Sequence, residues 1–238
     1  MSALAHYLEE EGLSTTLIGL IRNHVERIQP PRALWVPFEL GRPVGPPNNP
    51  DFQKRVIEAA LALLDREDGP VILEDFPEDA PGEEDGPNWR PPPLGGAADV
   101  AAEISALAPA HAAFTASNGF SNVGLTGVDV GTLAQFIARI DSDEPMERPT
   151  TKLAPVQVLR FGADDIKAYY AEAAVSSGGS PSSAQVWGWF WRETQAGALI
   201  WRLRHSCMAS ENASRQGIAR SLVPVRWQED EAVLAKLA

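Results

Sequence analysis

The spacing of apolar positions changes character along the chain. In the first third, short β-branched or aromatic runs alternate with segments of helical period, the rhythm of an α/β domain. SALAHYLEEEG reads as a short helix ending at Gly12, since glycine suits the position just past a helix. STTLIGL (Ser14–Leu20) predicts a strand, and IRNHVERIQ predicts a helix stopped by Pro30 and Pro31. RALWVPF (Arg32–Phe38) predicts a second strand. In DFQKRVIEAALALLDRE, the residues Phe52, Val56, Ala59, Ala60 and Leu63 recur at helical spacing. Asn49 is a natural N-cap there, with Pro50 at the first helical position and Asp51 beside the positive helix end. PVILEDF (Pro70–Phe76) predicts a third strand, and strands joined through helices predict a parallel sheet.

Residues 77–98, PEDAPGEEDGPNWRPPPLGGAA, continue neither period. Seven acids and no base lie between Glu74 and Asp85, and prolines are frequent, so the stretch reads as a surface loop or interdomain linker. Beyond it the pattern turns helical. DVAAEISALAPAHAAF and VGTLAQFIARI predict helices separated by a turn at Asn118-Gly119 and a short strand, NVGLTG. ADDIKAYYAEAAV predicts a helix with Asp164 and Asp165 in its first turn, and Ser180-Pro181 opens one long helix through VWGWFWRETQAGALIWRLRHSCMAS. The expected fold is therefore α/β, a small parallel three-layer sheet domain at 1–76, followed by an acidic Pro-rich linker or loop at 77–98 and a mostly helical C-terminal region at 99–238.

One connection is longer than the architecture requires. PFELGRPVGPPNNPDFQ, Pro37 to Gln53, carries five prolines and two glycines where a strand-to-helix link needs about 2–6 residues. Ligands of open parallel sheets bind beyond the carboxyl ends of the strands. Three stretches should gather there, offering Arg22, Asn23 and His24, then Glu39, Arg42, Asn48 and Asn49, then Glu74 and Asp75. Arg42 suits a carboxylate or phosphate because its guanidinium binds bidentately, and a proline-stiffened loop loses little freedom on closing around a ligand. The competing reading is a stiff loop that covers the sheet edge or meets a neighbouring subunit.

Composition narrows the classes. A net charge of −12 argues against a nucleic-acid binder and against an anionic membrane surface. The charge is uneven: residues 1–151 hold 24 acids and 10 bases, whereas 152–227 hold 9 bases and 5 acids. The two parts should attract each other, or one should attract an acidic ligand. The single cysteine, Cys207, excludes an intramolecular disulfide and a multi-thiolate zinc site. No histidine pair has metal-ligand spacing, so no metal site is expected, and the residues identify no cofactor. The acidic N-terminal stretch does not read as a signal peptide, no run spans a membrane, and a cytoplasmic protein is expected. His24 reads as a general base or as a surface histidine, and Cys207 as a nucleophile or a small core filler. Trp187, Trp189 and Trp191 belong to a buried helix or to a subunit interface.

The segments EEEGLSTTLIGL, RALWVPF, LGRPVGPPNNP and FQKRVIEAALALL together resemble the glycine/sarcosine/betaine and D-proline reductase selenoprotein B family, over roughly residues 5–75. The resemblance implies reductive cleavage of small amino-acid-like substrates by a selenocysteine or cysteine, in homo- or hetero-oligomeric assemblies. It places the redox residues ahead of the first helix, where this chain has no counterpart, so the redox group is either missing or supplied by a redox partner subunit. Arg42 would bind an anionic group, and Glu74 or Asp75 a polar or cationic one. The alternative function is non-catalytic small-molecule binding, or assembly through the Trp-rich helix.

Overall fold

A computed structural model describes residues 2–38, 40–47, 49–81, 85–140, 149 and 151–230. The chain forms two compact units, Met1–Glu83 and Glu84–Ala238. The first is α/β and the second is helical among its described residues, as the apolar spacing predicts.

In the first unit, α1 (Ser2–Glu10) precedes β1 (Leu17–Gly19), α2 (Arg22–Ile28), β2 (Arg32–Trp35), α3 (Pro50–Ala62) and β3 (Ile72–Asp75). The strands are parallel in the order β1-β2-β3. All are shorter than the expected runs, because only part of each run pairs. Side chains alternate between the two faces of a strand, and the two faces are built differently. Leu34, Val36, Ile72 and Phe76 bury against Phe52, Val56 and Ala60 of α3. Gly19 lies on the opposite face, where a Cβ would fall 2.4 Å from Val25 of α2. Its missing side chain lets α2 approach, and helices on both faces make the three layers.

The start of the sheet is tied by one acid. Glu9 accepts from the Thr15 N–H (2.5 Å) and Thr15 Oγ1 (3.0 Å), and pairs with Arg32 Nη1 at 2.7 Å. Burial alone would push Glu9 up, but these donors together hold its carboxyl below the usual range.

The helical unit contains α4 (Val100–Asn118), α5 (Val130–Ala138), α6 (Pro155–Ser176), α7 (Ser183–Glu193), α8 (Gln195–Ala209), α9 (Ala213–Leu222) and α10 (Val225–Gln228). Helix α6 is its axis, burying Leu159, Ala163, Ile166, Tyr170 and Ala174. It begins nine residues before Asp164, so Asp164 and Asp165 sit in its middle and not in its first turn. The expected single helix from 180 onward is two. Thr194 breaks it and caps α8, its Oγ1 accepting from the Gly197 N–H at 3.0 Å. A Cβ at Gly197 would lie 2.4 Å from the Phe190 carbonyl oxygen, so the sharp turn needs glycine there. Trp189 and Trp191 are buried in this core, as the buried-helix reading has it, together with Trp201.

The stretch expected to be a linker is packed over its second half. Trp89 is buried and donates from Nε1 to the Ala174 carbonyl and to Ser177 Oγ, both at 3.1 Å. A Cβ at Gly86 would meet the Gly179 carbonyl oxygen at 2.1 Å, and Ser182 Oγ donates to Asp85 at 2.5 Å. Residues 85–98 thus belong to the helical unit.

Buried carboxylates replace regular structure between α4 and α5. The segment NVGLTG is no strand. Fully buried Asp165 accepts the N–H groups of Gly124, Leu125 and Thr126 at 2.9, 2.9 and 3.0 Å, and Thr126 Oγ1 at 2.7 Å. Seven residues on, Glu172 accepts the Asn122 N–H (2.7 Å), Asn122 Nδ2 (3.1 Å) and Ser121 Oγ (2.7 Å). The seven-residue spacing puts both acids on one face of α6. On α4, buried Glu103 accepts Tyr170 Oη at 2.8 Å and the first amides of α8, Gln195 at 2.8 Å and Ala196 at 3.2 Å. Burial, then the Glu103 charge, pushes the Tyr170 phenol far above its ordinary value.

Asp165→Ala removes the acceptor of three amides, that of Thr126 buried, and of the Thr126 hydroxyl, and should cost about 3 kcal/mol. Six of the seven tryptophans lie in the helical unit, so its urea transition is readable by indole fluorescence. Glu9, held low in the folded state, contributes stability above the ordinary carboxylate range and loses it as pH falls through its lowered value. The Thr15 amide should therefore lose exchange protection below about pH 4.5, and Glu9→Gln should remove that acid dependence.

Candidate functional site

The register sets Gly19, Trp35 and Asp75 side by side on one face at the carboxyl ends of the three strands. Arg22, the first residue of α2, reaches across the middle strand. Its Nη2 and Nε lie 3.2 and 3.3 Å from Asp75 Oδ1, it pairs with Glu26 one turn along α2, and its guanidinium sits 5.8 Å from the Trp35 ring centroid. Trp35 Nε1 is buried and has no hydrogen-bond partner among the described residues. A buried indole N–H left unpaired costs stability, and it provides a donor for an acceptor arriving beside the arginine. Arg22 and Asp75 are 41% and 48% exposed, so their pair contributes at most about 1 kcal/mol and can exchange partners readily.

Other expected site residues are placed apart from this cluster. Glu74 is in register with Leu34, on the α3 face, and pairs with Arg66 at 2.9 Å. Arg66 also binds Asp68 and holds that carboxyl down to about 2. Glu74 and Asp75 therefore lie on opposite faces of the sheet, and of the two Asp75 is the one beside Arg22. His24 is exposed on α2. Asn49 caps α3, its Oδ1 accepting from the Phe52 N–H at 3.2 Å, and this structural bond occupies the side chain. Arg42 is half-buried in the long loop. Glu39 and Asn48 lie outside the described residues.

The long loop is packed as well as stiff. Phe38, Phe52 and Phe76 meet with ring centroids 5.4 to 6.0 Å apart, one from the loop, one from α3 and one from the end of β3. Gly45, at φ +91°, closes onto this trio, and a Cβ there would fall 2.5 Å from the Phe52 ring. The Gly45 N–H donates to the Arg42 carbonyl at 3.0 Å, closing a turn, and Gln53 Nε2 donates to the Pro46 carbonyl at 2.8 Å. The glycines and prolines in Gly41–Pro50 thus fix where the Arg42 backbone lies.

A second polar cluster, in the helical unit, has no signature in the sequence. His111 Nε2 lies 3.0 Å from Glu172 Oε2, the oxygen that also accepts Ser121 Oγ, and the imidazole stacks on Tyr169 at 4.3 Å. In a nucleophilic triad the imidazole stands between hydroxyl and carboxylate. Here both donate to the same oxygen, and Ser121 Oγ accepts the Val123 N–H, so the arrangement clasps a loop and does not activate a serine. Cys207 is fully buried, as a core filler is. Lys167 reaches the Leu222 carbonyl at the end of α9 and pairs with Asp164 at 2.8 Å, and burial pushes its ammonium down. Among the described residues no group of three or more His, Cys, Asp or Glu is arranged to hold a metal ion, and no helix is long and apolar enough to cross a membrane.

Comparison with protein-family models, curated proteins and solved structures gave no match to this chain.

Gly45→Ala forces a side chain against the Phe52 ring at positive φ and should cost about 2 kcal/mol. Gly41→Ala, at φ +93° in open space, carries only the backbone penalty of about 1 kcal/mol. A larger drop in melting temperature for the first than for the second would show that packing, beyond turn geometry, fixes the loop.

Proposed function

We propose that the first unit binds a small amino-acid-like molecule at the carboxyl ends of its strands, as a subunit or relative of the selenoprotein-B-type reductases. The observation that supports this reading is the Arg22–Trp35–Asp75 cluster, drawn from all three strand ends and containing an indole N–H without a partner. A zwitterion matches it. The ligand carboxylate would accept from Trp35 Nε1 and Arg22, and its ammonium would take over Asp75 as Arg22 turns toward the carboxylate. Arg42 and the wall of the long loop would close over the anionic end. Glu74 and Asn49 have structural partners and drop out of the ligand shell.

Any reductive step would need a selenocysteine or cysteine from another subunit, because the chain's one thiol is buried in the core of the helical unit. The second reading, binding without chemistry, uses the same cluster and differs only in whether a partner supplies a redox group. Assembly through the tryptophans loses its support, since Trp189 and Trp201 are core residues.

Isothermal titration with glycine, sarcosine, betaine and D-proline tests the site. Binding of at least one is expected, with Arg42→Ala, Arg22→Ala and Asp75→Asn each weakening it about 10- to 100-fold, the worth of a hydrogen bond to a charged group. The exposed Arg22–Asp75 pair adds little to stability, so these variants should melt close to the parent. Binding that survives all three substitutions would place the ligand elsewhere. Turnover of a bound ligand only when a thiol- or selenol-bearing subunit is added would separate the enzyme from the binder.

A further inference from the structure

The two outer strands of the sheet differ in how their edges are guarded. Proteins keep exposed edges from pairing with other chains by means of prolines, charges and short strands. β3 is guarded: Pro70 and Pro77 flank it, and Glu74 and Asp75 carry charge along it. β1, three residues long, carries neither a proline nor a charge. From Gly12 to Ile21, GLSTTLIGLI, the chain holds no charge and no proline. Leu13 and Ile21, at its two ends, are 57% and 41% exposed. Its flanks differ in net sign: Glu9, Glu10 and Glu11 lie before the strand, and Arg22, Glu26 and Arg27 after it.

We infer that β1 pairs with β1 of a second copy of this chain, antiparallel about a two-fold axis, joining two three-stranded sheets into one of six. A two-fold axis normal to the sheet brings the start of one β1 beside the end of the other. The acidic flank of each copy then meets the basic flank of its partner, and no like charges face each other across the uncharged strands. Leu13 and Ile21 are covered in the same step. The β3 edges stay outermost, where their prolines and acids prevent further addition, so assembly stops at two. This pairing does not depend on the ligand reading above.

Sedimentation equilibrium of the full chain from about 1 to 100 μM decides the matter, because protomer concentration governs such an equilibrium. A dimer is expected. Leu13→Lys with Ser14→Lys puts two cations beside the partner's Arg22 and Arg27, at exposed positions outside the core. It should weaken the dimer about tenfold or more, with far-UV circular dichroism and melting temperature unchanged. Val71→Lys, exposed beside β3, should leave the dimer intact. A parent chain that stays monomeric across the range overturns the proposal, as does a dimer indifferent to the double substitution or equally lost with Val71→Lys. A chain that pairs only with some other polypeptide would appear here as the monomer, and it overturns self-pairing in the same way.

Discussion

Buried carboxylates must find donors, and in the helical unit three of them take the amides of irregular segments. Asp165, Glu172 and Glu103 sit inside a core of apolar and aromatic residues, where an unpaired negative charge would be expensive. Each is surrounded by donors: three consecutive amides for Asp165, an amide and three side chains for Glu172, and the start of a helix with a phenol for Glu103. The loop between α4 and α5, the entry to α8 and the packing of α6 all rest on these bonds. Apolar burial accounts for the bulk of the core, but the carboxylates determine where its irregular segments lie.

The first unit solves a similar problem with shape. Its long connection from β2 to α3 includes four prolines, which bring no amide to satisfy. It is located by a glycine pressed against Phe52 and by a cluster of three phenylalanines. A loop held this way can border a ligand site without moving to receive the ligand, which lowers the entropy lost on binding. Arg22 and Asp75, on the α2 face of the sheet, are half-exposed and weakly paired, so they can change partners.

Local patterns carried the architecture well. Alternation of β-branched runs with helical spacing placed three strands and the helices between them, and Asn49-Pro50-Asp51 marked the start of α3. The expected helices from 99 to 138 were also found, with Asp99 and Asp129 as caps. Errors arose where a distant partner decides the outcome. NVGLTG has the composition of a strand, yet its amides are claimed by an acid 39 to 41 residues away. Thr194 looks like an ordinary helical residue until Gly197 is seen against the Phe190 carbonyl. Residues 85–98 have the composition of a linker, and one tryptophan with two acceptors binds them to the core. At the candidate site, Arg22 and Asp75 were legible as residues following parallel strands. Trp35 was missed because it lies within a strand, where an aromatic residue ordinarily signifies packing. Adjacent strand residues face opposite ways, so of the alternatives Glu74 and Asp75 only the second shares the face of Trp35.

The carboxylate-held loop also changes how the helical unit opens. Exposed loops usually release their amides in small local fluctuations, while helices release theirs only when larger cooperative blocks unfold. The amides of Gly124, Leu125 and Thr126 have no secondary structure around them, but their acceptor is buried at the middle of α6. Freeing them means drawing water to a charge in the core or displacing the central helix. The segment from Ser121 to Thr126 therefore belongs, in cooperativity, to the most slowly opening block of its unit, although by its outward form it is a turn.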